Sequence, residues 1–257
     1  MMRVFDEPAF ILHSRPYKET SLLAEVFTLN YGVVSIMVKG ALRPKSQYKS
    51  IIQPLRPLLL SWQGRTGLKI LTGAEPAQNI DLATGQLIQV SSTLFTADAS
   101  GVQYYCALYI NELATYLLPK QESHPLVFAA YLNCLSRLFR NDAGTESALE
   151  HALRYYESVL LDELGYGINF RYDISGKPIN PEHCYVLQGG EGFVYARNSV
   201  PQRVFSGRDI LDIGSGNYDL AGARKAAKLI FRQLLDIQLG GRRLHSRELI
   251  RYQIRTP

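Results

Sequence analysis

TSLLAEVFTLNYGVVSIMVKG, residues 20–40, places apolar side chains on a period of two on both sides of Tyr31-Gly32. Successive side chains of a strand point to opposite faces. Leu22, Ala24 and Val26 therefore share one face, and Leu23, Glu25 and Phe27 the other. The stretch reads as two antiparallel strands joined by a turn. AFILHSR (9–15) precedes it as a short apolar run. LRPLLLSW (55–62), a turn at Gln63-Gly64-Arg65-Thr66-Gly67, and LKILTGAEP (68–76) follow it. Five short strands joined by turns predict a small barrel within residues 1–80. Pro57 belongs at the start or edge of its strand, because proline donates no ladder hydrogen bond. One connection breaks the meander. ALRPKSQYKS (41–50) carries Arg43, Lys45, Lys49 and Tyr48 and no acid. Small five-stranded Greek-key barrels place a long connection there and bind oligonucleotides on one face.

After residue 100 the period changes to that of helices. GVQYYCALYINELATYLLP (101–119) ends at Pro119, and a second helix begins at Pro125. TESALEHALRYYESVLLDELGYG (145–167) is a third, with Gly165 as its cap. These helices predict a helical domain over 81–168. NFRYDISGKPINPEHCYVLQGGEGFVYAR (169–197) is rich in Gly, Pro and Asn, and has two β-like pieces, CYVL and GFVYA. It predicts an irregular insert at 169–205 with a small hairpin. A basic helix and tail over 206–257 should pack on the helical domain. The expected class is α+β: a five-stranded barrel, then a helical bundle with a small β insert.

At 257 residues the chain can bury a real core, and 46% apolar with 20% charged residues is the composition of a soluble globular protein. No apolar run approaches the ~20 residues that span a bilayer, and MMRVFDEP lacks the apolar core of a secretory signal. A cytoplasmic protein with no membrane association is expected. Cys106, Cys134 and Cys184 are widely spaced without a CxxC, which argues against a disulfide framework and a zinc knuckle. Charge is uneven. Residues 1–80 hold ten Lys and Arg against five Asp and Glu; residues 206–257 hold the same numbers; residues 81–205 hold eight against thirteen. Two basic ends around an acidic middle point to a polyanionic partner for the ends.

LDIGSGNYD (211–219) imitates the first motif of an S-adenosylmethionine-dependent methyltransferase. That motif needs a strand of a parallel sheet before its glycine loop. Here the third glycine position holds Tyr218, and about forty residues remain, reading as one helix and a tail. A short helical turn and a loop leading into the long helix is the expected structure. His13, His124, His151, His183 and His245 show no metal spacing or nucleophile elbow, and there is no P-loop. No enzyme is expected.

LHSRPYKETSLLAEVFTLNYGVVSIMVKGA (12–41), LYINEL (108–113), LGYGINF (164–170) and LGGRRLHSRELI (239–250) occur in that order. Together they resemble the bacterial RecO family of recombination mediators, over essentially the whole chain. The resemblance implies an N-terminal OB-fold, a helical bundle, and an irregular module that binds zinc in some members. It also implies binding of single- and double-stranded DNA, annealing of complementary strands, action on strands coated by single-strand-binding protein, and help to RecA loading together with RecR, without nucleotide hydrolysis. Where zinc-bearing members carry four cysteines, this sequence keeps Cys184, so no zinc and no other cofactor is expected.

Annealing needs affinity without base readout, which phosphate contacts supply. Candidate DNA contacts are Arg15, Lys18, Lys39, Arg43, Lys45, Lys49 and Arg65 in the barrel, with Arg224, Lys228, Arg242 and Arg243 holding a second strand. Tyr48 or Trp62 is a candidate to stack on a base. The acidic tail of single-strand-binding protein needs a cation beside an apolar pocket. Arg154, Ser158 and Leu161 fall on one helical face, and Arg154 matches a family position implicated in holding that tail. The competing role for Arg154 is an intrahelical pair with Glu150 or Glu157. An RNA-binding OB module and a methyltransferase are the alternatives from other classes.

Overall fold

The computed structural model describes residues 2–64, 67–81, 87–89, 101–139, 146–196 and 203–255. β1 (Arg3–Tyr17), β2 (Ser21–Thr28), β3 (Gly32–Val38), β4 (Pro57–Gln63) and β5 (Lys69–Pro76) close into a barrel in the order β1-β2-β3-β5-β4. β3 and β5 run parallel and the other neighbours antiparallel. The connection between β3 and β4 includes a short helix, α1 (Tyr48–Ile51). Pro57 is the first residue of β4, where its missing N–H costs no ladder bond.

The alternation in 20–40 produces the barrel core. Leu22, Ala24, Val26, Val34, Ile36 and Val38 pack inward with Ile11, Leu58, Leu60 and Trp62. Trp62 is 1% exposed, and Tyr31 meets its ring edge-on at 5.5 Å. Each fully buried aromatic or aliphatic side chain of this kind stabilises the fold by about 1.5–3 kcal/mol. The other face of the sheet is split. Phe10 and Phe27 are buried against Phe128 and Tyr131, with ring centroids 4.9–6.0 Å apart; the positions toward Tyr17 and Lys39 are not covered in this way.

Chain contacts divide the protein into two units, 1–141 with 244–257, and 142–243. The span 81–168, expected to form one helical domain, is thus shared between them. A two-stranded sheet, β6 (Asn79–Asp81) with β7 (Leu87–Gln89), follows the barrel. The first unit also holds α2 (Val102–Leu117) and α3 (Pro125–Leu138), and later α7 (His245–Arg255). Asn111 of α2 donates to the Leu12 carbonyl at 2.7 Å and accepts from the Tyr131 hydroxyl at 2.9 Å, so a buried amide joins both helices to β1. Gly32, at φ +65°, lets the chain pass Glu122; a Cβ there would lie 1.9 Å from its carbonyl oxygen.

α7 packs on α2 and is held by one carboxylate. Glu112 accepts from the His245 and Ser246 amides at 3.0 Å each and from the Ser246 hydroxyl at 2.6 Å. Helix N-termini leave unpaired N–H groups and a partial positive charge, which this carboxylate satisfies. Glu112→Ala is expected to cost about 1–2 kcal/mol and to speed amide exchange across α7. Hydrogen-exchange mass spectrometry checks this; unchanged protection of residues 245–255 would contradict it.

The second unit comprises α4 (Glu146–Glu163), β8 (Cys184–Gln188), β9 (Gly192–Tyr195), β10 (Val204–Ser206), α5 (Gly207–Gly214) and α6 (Ala221–Leu239). Gly165 caps α4 at φ +77°: its amide meets the Asp162 carbonyl at 3.0 Å and that of Tyr166 meets Leu161 at 2.8 Å. The insert is a three-stranded sheet, β10-β8-β9, rather than a lone hairpin. The third strand was hidden because VFS is three residues long, too short for a period to show. Phe193 and Phe205 on its inner face are buried, and Phe170 bridges Phe193 to Phe231 of α6.

The stretch 211–219 is the end of α5 and a loop. Ser206 caps α5 by accepting from the Asp209 amide at 3.1 Å, and the Asn217 amide returns to the Asp212 carbonyl at 2.9 Å. The strand that a methyl-donor site requires is not formed at these residues, and the glycines serve a helix end.

Candidate nucleic-acid interface

Two turns determine the geometry at one end of the barrel. β1 ends at Tyr17 and β2 begins at Ser21, its register partner. β3 ends at Val38, opposite Leu22. The Leu42 amide then donates to the Thr20 carbonyl at 2.9 Å, tying the turn after β3 to the turn after β1. Gly40, at φ +71°, makes that turn, and the Arg43 side chain folds back over it, 3.5 Å from where a Cβ would stand. Lys18, Lys39 and Arg43 are thereby gathered at one end of the barrel, all exposed. Arg15, Lys45 and Lys49 are exposed nearby in sequence, on β1, in the loop and on α1. Arg65 lies outside the described residues.

The two aromatic candidates are placed differently. Trp62 belongs to the barrel core and presents no ring surface to a nucleobase. Tyr48 is half-buried and packs against that same core. Trp62 is not separable from a surface aromatic by sequence, because an aromatic in a strand reads the same whether its face is inward or outward; Tyr48 lies on α1, in the connection between β3 and β4.

The second basic set lies in the other unit. Arg224, at the start of α6, donates to the Tyr218 carbonyl at 2.9 Å and to that of Asp219, and its Nε is 4.0 Å from Glu150. Lys228 pairs with Glu150 at 2.6 Å. Both cations are thus partly used within the fold. Arg242 and Arg243 are exposed beyond Gly240 and Gly241.

Arg154 is not at the surface. It is 5% exposed and its guanidinium meets Glu157, 1% exposed, at 2.9 Å. The intrahelical pair is the arrangement that forms. Leu161 is buried too, and Ser158 is half-buried. Tyr218, 3% exposed, packs on the His151 ring at 5.4 Å. Burial pushes its hydroxyl pKa up to about 12, against a hydrogen bond with Ser158. Burial likewise raises the Asp162 carboxyl, opposed by its own bond to Ser158. Ser158 of α4 therefore serves both the buried Tyr218 hydroxyl and the exposed Asp162 carboxyl.

The insert does not fit a four-ligand zinc site. It contains one cysteine and one histidine, Cys184 exposed at the start of β8 and His183 against the Tyr195 ring at 4.7 Å. Among the described residues no cluster of three or more His, Cys, Asp or Glu side chains is suited to a metal. No helix of the described residues is long and apolar enough to cross a membrane.

Comparison with known proteins agrees with this architecture. Residues 2–80 match the family described as Recombination protein O N terminal, and residues 99–248 match Recombination protein O C terminal. A DNA repair protein RecO of Yersinia pestis (strain Pestoides F) is 38% identical over 250 residues, covering 97% of this chain and 95% of that protein. One from Thiobacillus denitrificans is 35% identical over 253 residues, covering 97% and 92%.

Proposed function

Because the chain belongs to the RecO family of DNA repair proteins, we propose that it binds single- and double-stranded DNA by phosphate contacts and anneals complementary strands. In the same reading it engages the acidic tail of single-strand-binding protein and, with RecR, promotes loading of RecA in the bacterial cytoplasm, at the nucleoid. The observation that supports this best is the junction of turns at Thr20 and Leu42, which groups Lys18, Lys39 and Arg43. Cations at a turn-built barrel end grip sugar–phosphate and leave base edges open for a partner strand. The basic residues of α6 and the tail, Arg224, Lys228, Arg242 and Arg243, hold the second strand. Neutralising both backbones lowers the repulsion between them, so the role needs no covalent chemistry.

Strand annealing tests the reading. The purified protein should speed duplex formation between complementary oligonucleotides at low salt. With about five phosphates neutralised, log affinity should fall against log salt with a slope of about −3.5 to −4.5. No acceleration in dilute buffer, or a slope near zero, would show the reading to be wrong.

A further inference from the structure

We propose that the outer face of β1, β2 and β3 carries a stacking platform for an unpaired nucleobase of single-stranded DNA, centred on Tyr17. This rests on the DNA-binding reading above and adds which part of the DNA is engaged.

Residues directly opposite in a sheet point to the same face. Leu22, Ala24, Val26, Val34, Ile36 and Val38 face the core. The register then puts the remaining partners outside in successive rows: Tyr17 with Ser21, Arg15 with Leu23 and Met37, His13 with Glu25 and Ser35. Lys39 continues the Met37 face one step toward Tyr17. Tyr17, Leu23 and Met37 are half-buried, while Arg15, Lys18 and Lys39 are exposed around them. The face is a small apolar pad bordered by three cations. Rows of one strand are about 6.6 Å apart, so a base on Tyr17 leaves Arg15 and Lys39 within reach of flanking phosphates. Of the two acids here, Glu25 is engaged by Lys120 at 3.1 Å and by the Ser35 hydroxyl at 2.7 Å; Glu19 lies in the turn itself.

The turn holds the ring ready. The Lys18 ammonium stands 5.6 Å from the Tyr17 ring centroid. Lys18 has φ +54°, a left-handed conformation that a side chain other than glycine adopts at a cost. Such outliers persist where the surroundings over-determine them, and here the Thr20–Leu42 hydrogen bond braces the turn. Stacking engages the face of a base and leaves its pairing edge exposed. Duplex bases already stack on each other, so this platform favours single strands.

Fluorescence anisotropy with three ligands decides it: an oligo-dT strand, an abasic strand with the same number of phosphates, and a duplex. Wild-type protein should bind oligo-dT about five- to tenfold more tightly than the abasic strand. Tyr17→Leu should erase that preference and leave abasic and duplex affinities unchanged; Tyr17→Phe should keep it. Equal wild-type affinity for the dT and abasic strands, or a preference that survives Tyr17→Leu, would overturn the platform while leaving phosphate binding intact. Failure to bind any of the three at low salt would overturn the DNA-binding reading itself, and the platform with it.

Discussion

Arg154→Ala is expected to cost about 3–5 kcal/mol of folding stability, the range for removing one partner of a buried ion pair. The guanidinium and the Glu157 carboxylate meet at 2.9 Å with 5% and 1% of their residues exposed. Deleting the cation leaves a carboxylate in a site closed to water, next to Tyr218 and Ser158. The desolvation penalty of that orphan, more than the lost attraction, sets the size of the effect. A double variant, Arg154→Met with Glu157→Leu, should recover most of the loss, because apolar replacement of both partners is often neutral. Denaturation followed by circular dichroism is the measurement, since Trp62, the one tryptophan, reports on the barrel and not on α4. A single variant as stable as the parent would show that the pair is not closed to water. The result also bears on the tail of single-strand-binding protein. Arg154 is 5% exposed, so a peptide carboxylate reaches it only where the packing around it opens, and loss of peptide binding in Arg154→Ala is interpretable only beside its stability.

This pair marks where the sequence stopped being informative. The strands of 20–40 were legible because side-chain period and register follow from one another: once Leu22, Ala24 and Val26 face inward, Leu23 and Glu25 cannot. Pro57, Pro125 and Gly165 were legible because each has a backbone property that fits one position in an element. Burial of a charge has no such local signature. Arg154 and Lys18 are both cations beside aromatic residues in sequence, yet one is in the interior and the other at a turn tip. What separates them is helix α4 packing against the loop that carries Tyr218, more than sixty residues later. The same holds for Arg224 and Lys228. Their spacing revealed a basic helix face, while the carboxylate that engages them, Glu150, comes from a different helix. Tyr17 shows the converse, since its partners on the outer face come from β2 and β3 and appear only with the register.

That contrast between engaged and exposed cations gives the second large effect. The triple variant Lys18→Ala, Lys39→Ala, Arg43→Ala should lower single-strand affinity at 50 mM salt on the order of a hundredfold and make the salt slope shallower by about 2. Each residue is exposed at the tied turns, and each phosphate it neutralises releases condensed counterions from the strand. Annealing should slow in the same variant at every salt concentration. A second pair, Arg224→Ala with Lys228→Ala, should change the slope less per residue removed. Glu150 already compensates those two cations, so docking a phosphate there first requires loosening an ion pair, 2.6 Å long for Lys228. A salt titration of both variants beside the parent separates the two surfaces. If the barrel variant keeps the parental slope while the helix variant loses it, the primary grip on DNA lies on α6, and the turn junction at Thr20 and Leu42 is a structural brace alone.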